Sequence, residues 1–375
     1  MSDARAGSMS YVIVSSVTPT LRSGTGLRTY GVTAALARRH PVELAYVVFG
    51  AADPAAEYGD MPDVTMRPLR AARGARRGLE FARAAGRGIP IGVARGISPA
   101  LSCVLDEVPP GARVIADAPV AAAALLPFTR SRPLVYLAHN VESSGFRGSS
   151  GRAALERFER RVFRAFSESW MATRADERRA RALAGEEIAT RYVPNVIDVT
   201  RITPVSPSGA HRLLFVGDFT YPPNREALGF LVDEVLPVLW RAIPDVRLSA
   251  VGTGLADVPR DRRIDAPGFV EDLASAYGAA DVVVVPLLRG GGSPLKFVEA
   301  LAYGLPVVAT AHAAALLEDG VPGRDFMAAD GADAFAESVA ELLGDRQRAA
   351  ALGRAGRELV ERRYSVDHLA TQLVG

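Results

Sequence analysis

The chain has 375 residues, of which 49% are hydrophobic and 23% charged; this is an ordinary globular composition, long enough for about two domains with separate cores. A formal net charge of +2 argues against nucleic acid as the main partner. The single cysteine, Cys103, excludes an internal disulfide and an all-cysteine metal site, and it reads as a small buried apolar residue.

The apolar stretch 118–128 is too short to span a bilayer and is broken by Pro119 and Pro127, so no transmembrane helix is expected. The first ten residues are small and polar and lead straight into a strand-like run, unlike a secretory leader. A cytoplasmic location is the expectation. Of the 44 Lys and Arg residues only Lys296 is a lysine. Either it survives by accident in an arginine-rich coding background, or its position needs a compact ammonium rather than a planar guanidinium.

In chain order, residues 11–17 read as a strand, followed by a glycine-containing turn and a helical segment with Leu27, Tyr30, Ala34 and Ala37 at helical spacing. Residues 42–49 read as a fully buried strand, with 64–67, 113–116 and 134–137 as further strands and a long helix around 152–167. Strands alternating with helices predict parallel βαβ units in an open sheet. Residues 199–211 carry Pro204, Pro207, Ser206, Ser208 and Gly209 and read as an interdomain linker. The alternation then restarts, with strands at 212–216, 246–251, 281–286 and 306–309. The expected helices are 224–241, 294–303, 333–343 (Asp333 as N-cap), 348–362 and a final piece at 366–373. The predicted architecture is α/β, two sheets facing across a cleft. Residues 1–200 form the first domain and 201–360 the second. A C-terminal helix at about 361–375 packs back on the first domain.

In open α/β sheets ligands bind beyond the carboxyl ends of the strands. The richest such loop is Leu288-Arg289-Gly290-Gly291-Gly292-Ser293-Pro294-Leu295-Lys296. Ser293 suits an N-cap and Pro294 the first helical position. The glycines permit close backbone approach, and the free amides favour an anion. Lys296 in the first turn opposes the helix dipole at a cost of about 0.3–1 kcal/mol unless an anion is bound, which makes it a phosphate-ligand candidate. Glu299, on roughly the same face, reaches either a ribose diol or simply Lys296 itself as an intrahelical pair.

The run from Gly290 through Lys296 and Glu299 to Thr310 resembles the donor-binding signature of glycosyltransferase family 4 (group 1). Supporting stretches are Phe215-Val216-Gly217-Asp218-Phe219 with Pro223-Asn224, Val251-Gly252-Thr253-Gly254, Gly268-Phe269-Val270 and Pro194-Asn195. In the first half, Gly24-Thr25-Gly26 and Ala138-His139-Asn140-Val141-Glu142 carry a weaker likeness. The resemblance implies a GT-B fold of two Rossmann-like domains, residues 1–200 on the acceptor side and 201–360 binding the donor. It also implies a retaining, nucleotide-sugar-dependent transferase acting on an acceptor hydroxyl. It implies that Glu299 holds the ribose, that the amides of Leu295 and Lys296 bind the diphosphate, and that Phe269 and Val270 lie against the base. It places His139 near the transferred sugar, with His139 and Lys296 as the catalytic pair. Gly24, Gly26, Gly217, Asn224, Arg225, Gly252, Gly291, Gly292 and Ser293 complete the expected donor site.

Gly291 stands where the family's first glutamate usually contacts sugar hydroxyls. The basic residues often found after the first strand of the second domain are missing, with Arg225 a shifted substitute. Charge neutralisation of the diphosphate then depends on Lys296, and with His40, His211, His312 and His368 scattered, no obligatory metal or other cofactor is expected. Two other readings stay open: a nucleotide-sugar epimerase of the same fold, and a non-catalytic nucleotide-sugar-binding partner protein. A dinucleotide oxidoreductase is disfavoured, because neither half has the full Gly-x-Gly-x-x-Gly turn after its first strand. Arg67, Arg70, Arg73, Arg76, Arg77, Arg83, Arg87 and Arg95 crowd one stretch opposed by Glu80 alone. This is either a solvated face or a surface for peripheral contact with an anionic membrane or acidic acceptor.

Overall fold

The computed structural model describes residues 9–21, 23–48, 53–71, 74–145, 149–255, 261–290 and 295–373. By its internal contacts the chain divides into two units, Met1–Asn195 with Leu369–Gly375, and Val196–His368. The first contains a seven-stranded sheet of β1 (Tyr11–Ser15), β2 (Val42–Val48), β3 (Val64–Arg70), β4 (Arg113–Asp117), β5 (Leu134–Leu137), β6 (Glu168–Met171) and β7 (Thr190–Tyr192). Their order is β3-β2-β1-β4-β5-β6-β7, and every pairing is parallel. The order reverses between β1 and β4, so a crevice opens at their carboxyl ends.

The second unit repeats this plan with β8 (Arg212–Val216), β9 (Arg247–Val251), β10 (Ile264–Gly268), β11 (Val282–Val285), β12 (Val307–Ala309) and β13 (Met327–Ala328). The order is β10-β9-β8-β11-β12-β13, again parallel throughout, with the reversal between β8 and β11. Alternate residues of one strand feed opposite faces. Leu213, Phe215, Val282 and Val284 pack with Leu231 and Phe335, whereas Leu214, Val216, Val283 and Val285 pack with Phe297 and Leu301. Helices cover both faces, which is why β11 is an unbroken run of four buried valines rather than an alternating pattern.

Several expectations from periodicity need amending. The helix expected over 224–241 is Pro222–Phe230, a π-turn at Leu231–Val235 and a second helix at Leu236–Ala242. Pro237 lacks an amide hydrogen, and the wider turn before it accommodates the lost bond. Helix Ala332–Gly344 is capped by Gly331 at φ 78°, with Asp333 in its first turn. Strands β6, β7, β10 and β13 carry no long apolar run and were invisible to pattern reading. Cys103 is exposed, not buried. The Pro- and Ser-rich segment after Asn195 belongs to the second unit. There the amide of Val205 donates to Tyr303 O at 2.8 Å, and Arg357 donates to the carbonyls of Val199 and Ile202 at 3.0 and 3.2 Å. None of the described helices is long and apolar enough to cross a membrane.

Candidate active site

In the second unit parallel pairing brings the loops after β8, β9, β10, β11 and β12 to one edge. Asp218, just past β8, organises the first two loops. One of its oxygens accepts from the Thr220 amide at 3.0 Å and from Thr253 Oγ1 at 2.8 Å. The hydrogen bonds, that from Thr220 first, hold its pKa below the ordinary carboxylate value. Asn224 donates to Asp218 O at 2.8 Å, lying against Gly217, whose added Cβ would sit 3.1 Å from Asn224 Nδ2. Arg225 donates to Phe219 O at 3.3 Å. In this state Asn224 and Arg225 shape the loop. Gly252 has φ 145°, and a Cβ there would lie 1.7 Å from Gly217 O, so close contact between the β8 and β9 loops requires glycine.

Leu295 is the first residue of helix Leu295–Ala302. Lys296 Nζ donates to Glu299 Oε2 at 2.7 Å, forming the intrahelical pair that the spacing allows, and the two side chains are 36% and 19% exposed. The buried hydroxyl of Tyr277 donates to the same oxygen at 3.2 Å. Phe269, 52% exposed, stands beyond β10, and the neighbouring Val270 packs onto the core. Exposed Tyr221 and Leu288 flank the same edge. Arg289 pairs with Glu226, and His312 Nε2 lies 3.0 Å from Gly290 O. Gly291, Gly292 and Ser293 lie outside the described residues.

In the first unit the crevice between β1 and β4 holds a buried polar group that sequence reading only half anticipated. His139, two residues beyond β5, donates from Nε2 to Asp117 Oδ1 at 2.7 Å, with both side chains under 10% exposed. Thr29 Oγ1 donates to Asp117 Oδ2 at 2.9 Å, and Ser15 also bonds this carboxylate. Burial pushes the Asp117 pKa up, but His139 and the three hydrogen bonds outweigh it and hold the pKa below the ordinary value. Ala118, next in chain, has φ 67°. For a residue with a Cβ this conformation costs about 1–2 kcal/mol and marks a place where the surroundings over-determine the backbone.

Arg28 lies behind this pair, 2% exposed. It donates to the carbonyls of Ala138 (3.1 Å), Trp170 (3.2 Å) and Val193 (2.8 Å) and to Asn195 Oδ1 (2.8 Å). One guanidinium thus ties the carboxyl ends of β5, β6 and β7 together. Burial lowers its pKa to about 10, so it stays protonated at neutral pH. Glu159 accepts from the amide of Glu142 at 2.6 Å and from Ser143, anchoring the segment after His139. Burial raises its pKa to about 7.

Gly24 begins helix Gly24–Ala37. At Gly26 an added Cβ would lie 1.8 Å from Thr20 O, so that glycine serves close packing against the preceding turn. The structure thus gathers Gly217, Asn224, Arg225, Gly252, Phe269, Val270, Leu295, Lys296 and Glu299 at one edge of one sheet, and His139 with Asp117 at the corresponding edge of the other. Asp117, Arg28, Tyr277 and Glu159 were missed. The one available signal was an aspartate closing a buried strand run and followed by Ala-Pro.

Residues 210–345 match the family Glycosyl transferases group 1. That segment lies inside the second unit. The matched segment holds every described donor-site candidate of that unit. Over 223 residues the chain is 28% identical to a GDP-mannose-dependent monoacylated alpha-(1-6)-phosphatidylinositol monomannoside mannosyltransferase of Corynebacterium glutamicum, covering 52% of this chain and 58% of that one. Over 190 residues it is 32% identical to a phosphatidyl-myo-inositol mannosyltransferase of Mycolicibacterium smegmatis, covering 46% and 48%. The chain therefore spans about half the length of the curated relatives it matches.

Among solved structures, Anabaena HepE in complex with UDP and glucose superposes with TM-score 0.72 at 16% identity, covering 98% of both chains. Sucrose-phosphate synthase from Thermosynechococcus elongatus gives 0.71 at 20% identity, covering 97% of each. Such likeness establishes the GT-B fold for the whole chain.

Proposed function

We propose that the protein is a glycosyltransferase that moves a sugar from a nucleoside-diphosphate sugar to an acceptor hydroxyl with retention. The observation that carries this reading is the placement of Lys296 and Glu299 in the opening turns of the helix after β11. They stand at the carboxyl edge of the sheet and inside the segment that matches the family. GDP-mannose is the proposed donor, because the mannosyltransferase relatives are 28–32% identical whereas the UDP-bound neighbour is 16% identical.

In this reading the bond between the anomeric carbon and the phosphate oxygen breaks, and negative charge develops on the diphosphate. Lys296 and the amides of Leu295 and Lys296 stabilise that charge electrostatically. The acceptor oxygen bonds to the anomeric carbon on the face the phosphate leaves, and its proton passes to the departing phosphate oxygen. Glu299 holds the ribose, Phe269 and Val270 meet the base, and His139 orients the transferred sugar. Lys296 neutralises charge that a metal ion would otherwise carry, so no obligatory metal is proposed.

Replacing Lys296 by alanine will weaken GDP binding by about 1.5–3 kcal/mol, the range for a charge-assisted hydrogen bond. Titration calorimetry reads this directly, and an unchanged affinity removes Lys296 from the mechanism.

For the acceptor we propose an anionic, membrane-surface molecule. The basic stretch supports this in part. Arg67 is spent on Glu43 of the neighbouring strand β2 and on Glu107 in the loop before β4, at 3.1 and 2.7 Å, and Arg83 pairs with Glu80. Arg73 lies outside the described residues. Arg70, Arg76, Arg77, Arg87 and Arg95 are exposed, and Leu79 and Ile91 add 51% and 59% exposed apolar side chains. Helix Ala75–Gly86 buries only Ala84. Basic residues with exposed apolar ones suit an anionic interface. Sedimentation with phosphatidylinositol-containing vesicles is expected at low salt and lost at high salt; recovery in the supernatant at both overturns the membrane contact.

A further inference from the structure

The two donors to Glu299 differ in kind. Lys296 is a long, flexible and partly exposed side chain, free to exchange one anionic partner for another. Tyr277 is fixed. It is 0% exposed on helix Leu273–Gly278, and its ring stacks on Tyr303 with centroids 4.3 Å apart and planes 17° apart. Burial, then the charge of Glu299, holds its pKa well above that of an ordinary phenol, so the hydroxyl remains a donor at any working pH. Both donors reach Oε2.

A carboxylate that recognises a vicinal diol must keep an oxygen aimed at it. If Lys296 turns to a diphosphate, Glu299 loses one of its two described partners and, without the other, gains rotamer freedom that binding must remove again. We propose that Tyr277 is a positioning residue that anchors Oε2 of Glu299, so that Oε1 stays presented to a ribose diol when Lys296 turns to the diphosphate. The inference rests on the reading of Glu299 as the ribose ligand. It explains why a tyrosine hydroxyl is buried against an acidic side chain beside the helix that carries the only lysine.

The test compares the dissociation constants of GDP and 2′,3′-dideoxy-GDP, so that each protein serves as its own control. The native protein is expected to prefer GDP by about ten-fold or more, the usual worth of hydrogen bonds to a charged group. Glu299→Gln removes that preference. Tyr277→Phe keeps the stacked ring and reduces the preference to about three-fold or less, with dideoxy-GDP affinity unchanged. Lys296→Met weakens both nucleotides and keeps their ratio, since Tyr277 still holds the carboxylate; this variant also decides the matter should Tyr277→Phe fail to fold.

A Tyr277→Phe protein with the native ratio, or a Lys296→Met protein that loses it, overturns the role of Tyr277 while leaving Glu299 as ribose ligand. A fall in affinity for both nucleotides by the same factor in Tyr277→Phe makes the tyrosine merely structural and overturns the role equally. A native protein that does not distinguish the two nucleotides, or a Glu299→Gln protein that still does, overturns the ribose reading and the proposal with it.

Discussion

Asparagine at position 117 will lower the rate of sugar transfer by about 100-fold, the scale of losing a group that holds the sugar in its reacting orientation, while GDP affinity stays at the native value. Asp117 accepts from His139 Nε2 at 2.7 Å and from Thr29 at 2.9 Å, and its charge favours the imidazole N–H that points at it. Asparagine preserves the volume but presents a neutral amide, so the ring loses the partner that fixes its tautomer and orientation. The nucleotide candidates other than Gly24 and Gly26 belong to the second unit, so a defect confined to turnover separates the two roles. Steady-state kinetics with GDP-mannose, together with calorimetry of GDP, check this. Native turnover in Asp117→Asn removes the pair from the reaction, and equal losses in turnover and GDP affinity contradict the separation.

Methionine in place of Arg28 will destabilise the protein by about 4 kcal/mol, within the range for breaking a buried charged network by removing one member. The carbonyls of Ala138 and Val193 and the side-chain oxygen of Asn195 lose the guanidinium at once, while Trp170 O keeps the Ala138 amide at 3.0 Å; a buried acceptor without a partner costs about 1–3 kcal/mol. Methionine fills much of the volume but supplies no hydrogen bond. For a unit of this size the melting temperature is expected to drop by about 8–16 °C, measured as the first-unit transition in calorimetry. A shift under about 3 °C contradicts the account of Arg28 as the tie between β5, β6 and β7. Ala138 precedes His139, so the same variant should also loosen the imidazole.

The legibility of this fold in its sequence follows from where the strands lie. β1, β8 and β11 are central, buried on both faces and therefore written as apolar runs (residues 11–14, 213–216 and 282–285), and β2 is interrupted only by Glu43. β7 (Thr-Arg-Tyr) and β10 (Ile-Asp-Ala-Pro-Gly) are edge strands, half solvated, and their composition does not differ from that of a loop. The candidate site of the second unit could be picked out because its residues are local: a glycine-rich stretch, one lysine and a glutamate three residues on follow one another in the chain. The Asp117–His139 pair and the Arg28 network bridge 22 and up to 167 positions and bear no sequence periodicity; only the strand order brings them together. Tyr277 was hidden for the same reason, being 22 residues from the carboxylate it bonds. Spacing did anticipate the Lys296–Glu299 pair, because in a helix a separation of three residues is itself a distance.

The most direct test of the central claim is a thermal-shift panel of GDP, UDP, ADP and dTDP, each with and without magnesium, on the native protein and on Lys296→Ala. A ligand that binds only the native state stabilises it by about 2.7 kcal/mol at one hundred times its dissociation constant. The account predicts that GDP raises the melting temperature most, does so without magnesium, and largely loses the effect in Lys296→Ala. No shift with any of the four at millimolar concentration, or a GDP shift that persists unchanged in Lys296→Ala, would contradict a nucleoside-diphosphate site built around Lys296 and Glu299.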